Sequence, residues 1–106
     1  MKEVWKDIVG FEGLYEVSNM GNVRNTKRRD KLLKPLIQTN GKAKTLRASV
    51  CLVDKGGKKH LLKVHRLVAE TFIPNPYGYE TVIRLDKNGL NNSVNNLAWK
   101  RIGGKQ

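Results

Sequence analysis

The side chains able to do chemistry are His60, His65, Cys51 and one stretch, "TVIRLDKNGLNNSVNNLAW" at residues 81 to 99, which holds five asparagines beside Arg84 and Asp86. A single cysteine excludes an internal disulfide and any zinc site built mainly on thiolates. Cys51 lies in "RASVCLV", a strand-like run, and reads as a packed or idle thiol rather than a nucleophile. His65 sits in "VHRLVAETF", where a histidine satisfied by packing and a backbone partner outweighs a catalytic one by about three to one. His60 follows "GGKK" and is expected to be exposed. Asp86 offers a metal one carboxylate, which does not make a site. The asparagines fit a structural task better than ligand or base recognition, because loop amides satisfy nearby N–H and C=O groups and tolerate turn conformations.

Charge narrows the partner. The 106 residues carry a net +12, yet residues 1 to 16 carry Glu3, Asp7, Glu12 and Glu16 against Lys2 and Lys6, a net −2, which leaves +14 on the other ninety. Such an excess repels itself unless a polyanion neutralises it, so nucleic acid leads. Anionic membrane surfaces come second, since no basic amphipathic helix is visible. No apolar run approaches ~20 residues, and "MKEVWKDIVG" lacks the apolar centre of a signal peptide. The expectation is a soluble cytoplasmic protein.

The elements that must hold these residues are short. "LYEVS" and "NVRN" flank "NMG" as two strands about a tight turn, with Trp5, Ile8, Phe11, Leu14, Tyr15 and Val17 as packing residues. "LLKPLIQ", "TLRASVCLV" and "HLLKV" read as further strands separated by "TNGK" and "DKGGK", and Pro35 marks an edge. Alternation places Leu46, Ala48, Val50 and Leu52 on one face and Arg47 and Ser49 on the other. The period then becomes helical, with Val64, Leu67, Val68 and Phe72 on one face before "IPNP" stops the helix. "TVIRL" and "LAWK" form a final strand pair around the asparagine-rich loop, which has room for one helical turn.

"WKDIVGFEGLYEVSNMGNVRN" resembles the N-terminal module of phage HNH homing endonucleases, and "VHRLVAETFIPNP" with "LNNSVNNLAW" resembles the HNH nuclease unit that follows it. The resemblance spans roughly residues 3 to 100 and implies a phage or prophage origin. It implies an α+β fold, a small β-rich N-terminal module followed by a ββα-metal (HNH-like) core, here with a truncated C-terminal helix because only Arg101 to Gln106 follow Lys100. The expected division is 1–55 and 56–106, making one compact body. The resemblance also assigns Asn88, Asn91, Asn92 and Asn96 to loop bracing, with Asn96 as the central asparagine of the motif; Asn95 has no assignment.

The same resemblance exposes a gap. Its members carry Asp-His or Asn-His on the first core strand, so Ile83 stands at the metal-ligand position and Arg84 at the general-base position. Isoleucine has no donor atom, and arginine with a pKa above ~12 cannot act as a base. His65, Asp86 and Asn96 are the weak catalytic candidates that remain. Arg84 is read either as a phosphate-pairing guanidinium or as an exposed product of drift. The leading reading is a nucleic-acid-binding protein on a degenerate scaffold, without a cofactor. Its contacts are expected at Arg24, Lys27, Arg28, Arg29, Lys42, Lys44, Arg47, Lys58, Lys59, Arg66, Arg84, Lys87, Lys100 and Arg101, on double-stranded DNA ahead of RNA. The alternatives are an active nicking endonuclease, which would need a divalent metal such as Mg, and a phage protein aimed at a host protein or nucleoprotein machine.

Overall fold

A computed structural model describes residues 1–40 and 45–101. Among them the strands form three antiparallel sheets. The first joins β1 (Trp5–Asp7), β2 (Tyr15–Ser18) and β3 (Val23–Asn25), and the second joins β4 (Leu36–Asn40), β5 (Thr45–Val53) and β6 (Lys59–Lys63). The third pairs β7 (Thr81–Arg84) with β8 (Leu97–Lys100). Helix α1 (Val64–Phe72) follows β6 without a loop and packs against strands of all three sheets. The fold is thus mostly strand around one α-helix.

The helix can serve three sheets because its apolar stripe is continuous. Val64, Leu67, Val68 and Ala69 are buried, and spacing of three and four residues stacks them on one face. They meet Ile8, Phe11, Val17 and Val23 from the first sheet region, Ala48, Val50 and Leu52 from β5, and Val82 and Leu97 from the β7–β8 pair. Each such aliphatic burial contributes about 1.5–3 kcal/mol. The helix ends at Ile73, whose extended backbone suits a residue preceding Pro74. There the Trp99 Nε1–H donates to the Ile73 carbonyl at 3.0 Å, tying β8 to the helix end.

The position 55/56 falls in the turn between β5 and β6, so the chain on either side shares one sheet as well as one core. On β5, Ala48, Val50 and Leu52 are buried as the alternation predicts, but Leu46 is exposed and Ser49 is buried. Leu46 lies toward the strand end that runs past the core. Ser49 sits mid-strand, paired with Leu36 on β4 and Lys63 on β6. The side chains of Lys42 and Lys44, and the truncated helix expected beyond Arg101, lie outside the described residues.

Candidate nucleic-acid interface

The β7–β8 hairpin presents the asparagine loop. Pairing sets Val82 against Trp99, Ile83 against Ala98 and Arg84 against Leu97. Strand alternation then turns Val82 and Arg84 to the helix side and Ile83 to the opposite face. Beyond Arg84 the chain turns sharply. The Lys87 N–H donates to the Arg84 carbonyl at 3.1 Å, and Lys87 adopts a left-handed φ of 62°. The Leu85 N–H returns to the Asn96 carbonyl at 2.8 Å, which closes the loop's base.

Inside the loop Asn88, Asn91 and Asn96 bond as braces, whereas the buried Oδ1 of Asn92, expected to brace as well, has no hydrogen-bond partner among the described residues. Asn96 is buried; its Oδ1 accepts the Asp86 N–H at 3.0 Å, and its Nδ2 donates to Asp86 Oδ1 at 2.8 Å and to the Asn91 carbonyl at 2.9 Å. Asn91 Nδ2 donates to Asp86 Oδ2 at 2.8 Å, and Asn88 Oδ1 accepts the Leu90 N–H at 3.0 Å. The Asn88 N–H adds a third donor to the Asp86 carboxylate, at 2.8 Å. These bonds, the Asn91 amide foremost, hold the Asp86 carboxyl below its ordinary range. Asp86 is therefore an anchor of the loop, with both oxygens engaged.

The loop is held from outside by the N-terminal half. Val94 N–H donates to the Asn19 carbonyl at 2.7 Å. Asn19 itself links strands, accepting from the Val4 N–H and donating to the Lys2 carbonyl. Gly21, at φ +89°, lies so close to Asn92 that a Cβ there would come 2.9 Å from the Asn92 carbonyl oxygen. On the other side, Gly89 packs on the Leu46 backbone with no room for a side chain. That contact brings the end of β5, and Arg47 with it, to β7. Sequence reasoning missed the roles of Asn19, Gly21 and Gly89; the signal available was glycine and asparagine in both turns, which does not say which turns meet.

Arg84, Arg47, Lys63 and His65 line one cavity of about 200 Å³, completed by Leu46 and Val82. Arg84 is half-buried, and its Nη1 is shut off from solvent without a hydrogen-bond partner. A buried donor left unpaired costs about 1–3 kcal/mol. Burial, followed by the charge of Arg47, lowers the Arg84 pKa, against which Asp86 acts. His65 is pushed down to about 4, first by burial and then by Arg84, Lys63, Arg66 and Arg47. It is therefore neutral at physiological pH, as a histidine among cations should be. Lys63 was absent from the expected contacts. Its pairing with Ser49 on β5, two residues from Arg47, was the register that could have found it. A second, wider groove of about 500 Å³ runs along Val82, Ile83, Arg84, Leu85, Lys87, Gly89 and Lys100, so Arg84 borders both.

The remaining basic residues divide by their partners. Arg24 bonds Glu16 at 2.8 Å and stacks over Trp5, and Arg29 reaches Glu16 at 3.2 Å. Arg66 pairs with Glu70 at 3.1 Å, donates to the Glu80 carbonyl and lies over Trp99. Arg28 is 3.9 Å from Asp30. Lys27, Lys58, Lys59, Lys87, Lys100 and Arg101 are exposed and take part in no described ion pair. His60, expected to be exposed, is half-buried, with Nε2 at 2.8 Å from Asp54 Oδ2 and its ring edge-on to Phe11. Its position on the inward face of β6 explains the difference. Cys51 is exposed on the outward face of β5. Among the described residues, no three His, Cys, Asp or Glu side chains converge as a metal site would require.

Comparison with known proteins places this geometry. Residues 3–49 match the family described as the NUMOD4 motif. The chain is 42% identical over 98 residues to DNA endonuclease I-HmuI of Bacillus phage SP01, covering 90% of this chain and 51% of the relative. It is 40% identical over 95 residues to the uncharacterized HNH endonuclease L245 of Acanthamoeba polyphaga mimivirus, covering 90% of this chain and 26% of the relative. A solved structure described as DNA binding and cleavage by the HNH homing endonuclease I-HmuI superposes with a TM-score of 0.72 at 40% identity, over 92% of this chain and 52% of that one. The chain thus spans about half the length, or less, of these relatives.

Proposed function

We propose that this chain, similar over about half their length to HNH homing endonucleases, binds DNA on that scaffold without the metal-assisted cleavage the scaffold usually supports. One observation carries the reading. The asparagine loop is fully braced through Asp86, Asn91 and Asn96, yet the strand it adjoins presents Ile83 and Arg84. The resemblance implies a metal ligand and a base at those two positions, and a divalent metal does not fit the residues present. Ile83 has no donor atom, Arg84 is a cation, and the Asp86 oxygens already accept three bonds. The basic surface supports DNA as the partner, because Lys58, Lys59, Lys87 and Lys100 are placed to meet phosphates rather than internal carboxylates.

The test is to incubate the protein with supercoiled and linear DNA in magnesium or manganese and to follow duplex binding in parallel. Binding without nicking is the expected result. Metal-dependent nicking would overturn the reading in favour of an active endonuclease. Failure to retain duplex DNA would favour a protein or nucleoprotein target instead.

A further inference from the structure

We propose that Arg47, Lys63, His65 and Arg84 form a metal-free site for a single phosphodiester group, in which guanidinium and ammonium groups supply all of the positive charge. The inference rests on the DNA-binding reading and specifies its central contact. Three observations carry it. The four side chains line one cavity of about 200 Å³, and the lining includes no carboxylate. Arg84 is half-buried at that cavity with no described ion pair, and its buried Nη1 has no hydrogen-bond partner among the described residues. Among the described residues the carboxylate that acts on Arg84 is Asp86, whose oxygens are turned into the asparagine loop.

Electrostatics decides the ligand's sign. Arg47, Lys63 and Arg84 repel one another and would repel a metal cation, whereas a phosphate oxygen relieves that repulsion and accepts hydrogen bonds from the cations that line the cavity. Neutral His65 adds an imidazole that either donates or accepts without adding charge. A guanidinium also differs from a metal in what it offers a phosphodiester. It pairs with the nonbridging oxygens through fixed N–H donors, but it carries no water to activate as a nucleophile. The same contact that holds the backbone therefore supplies no hydrolysis.

The test uses the full chain labelled with nitrogen-15, followed by NMR at the Arg84 side-chain N–H and the His65 imidazole. Three titrants are compared: the dinucleotide dTpdT, inorganic phosphate and magnesium chloride. Saturable shifts with dTpdT, and none with magnesium, are expected. Arg84→Leu should weaken dTpdT binding at least about tenfold, and Lys55→Ala, on the far β5–β6 turn, should leave it unchanged. Should Arg84→Leu fail to fold, Arg47→Leu supplies the same comparison. Saturation by inorganic phosphate alone would overturn the phosphodiester assignment, and a saturable response to magnesium would overturn the metal-free site. Absence of any shift while duplex DNA still binds would overturn this site and leave the DNA-binding reading standing. Saturation by dTpdT without duplex binding would do the reverse.

Discussion

Asn96 and Asp86 grip each other twice: the Asn96 Oδ1 accepts the Asp86 N–H at 3.0 Å while the Asn96 Nδ2 donates to Asp86 Oδ1 at 2.8 Å. The pair joins the two ends of the loop and stands beside Arg84. Removing the amide in Asn96→Ala loses three bonds: the Asp86 N–H loses its acceptor, the Asn91 carbonyl loses its Asn96 donor, and the Asp86 carboxylate keeps only Asn88 and Asn91. With each part-buried hydrogen bond contributing about 0.5–1.5 kcal/mol, a destabilisation of about 1.5–4 kcal/mol is expected in urea unfolding, with an unchanged dependence on denaturant. A change below about 0.5 kcal/mol would mean that the loop is held by its other contacts.

Acid should unfold the protein in two stages. His65 has a folded pKa of about 4, below its ordinary 6.5, so between those values the unfolded chain binds a proton that the folded one does not. Stability is therefore complete above pH ~6.5 and falls as the pH drops toward ~4. Each unit corresponds to about 1.4 kcal/mol, and partial solvent access reduces the total to about 2 kcal/mol. Asp86, also depressed, adds a loss that sets in only at lower pH, as the carboxylate protonates. His65→Gln should flatten the pH profile between about 6.5 and 4 without altering the lower branch. An unchanged profile would place the proton uptake elsewhere.

How much of this was legible beforehand depended on the range of the interaction. Local periodicity located α1 and the β7–β8 pair, since "VHRLVAETF" and "TVIRL" each follow one period and end in a proline or a turn. The task of the asparagines followed from the short reach of amide side chains. What pattern could not reveal was tertiary: that the turn at Asn19–Gly21 meets Asn92, or that Gly89 lies on Leu46. The basic residues show the same limit. Arg24 and Arg84 look alike in sequence, but one is neutralised by Glu16 across the sheet and the other is enclosed beside Arg47.

Duplex affinity should fall steeply with salt. Each neutralised phosphate contributes about −0.9 to the slope of log K against log salt. The unpaired cations support several contacts, so a slope of about −3 to −5 is expected from binding isotherms between low and moderate salt. Joint replacement of Lys58 and Lys59 by alanine should make the slope shallower without loss of folding. Arg24→Ala should instead lower stability, since it removes the nearer of the two arginines on half-buried Glu16 and the cation stacked on Trp5. A salt-independent affinity would argue against phosphate contacts altogether.

The decisive variant combines Ile83→Asp with Arg84→His, which restores the side-chain types that the resemblance implies. Cleavage is nevertheless expected to stay absent or weak. A histidine at position 84 would enter a cavity still lined by Arg47 and Lys63, which oppose a divalent cation. The aspartate would gain no second carboxylate, because Asp86 is engaged by Asn88, Asn91 and Asn96. DNA binding should weaken as well, for a charge-assisted phosphate contact is worth about 1.5–3 kcal/mol, or roughly ten- to hundredfold in Kd. Nicking of supercoiled DNA in magnesium or manganese and the duplex Kd are measured on the same preparation. Vigorous cleavage by the double variant would show that Ile83 and Arg84 alone separate this chain from an active nuclease. An unchanged Kd would remove Arg84 from the DNA contacts.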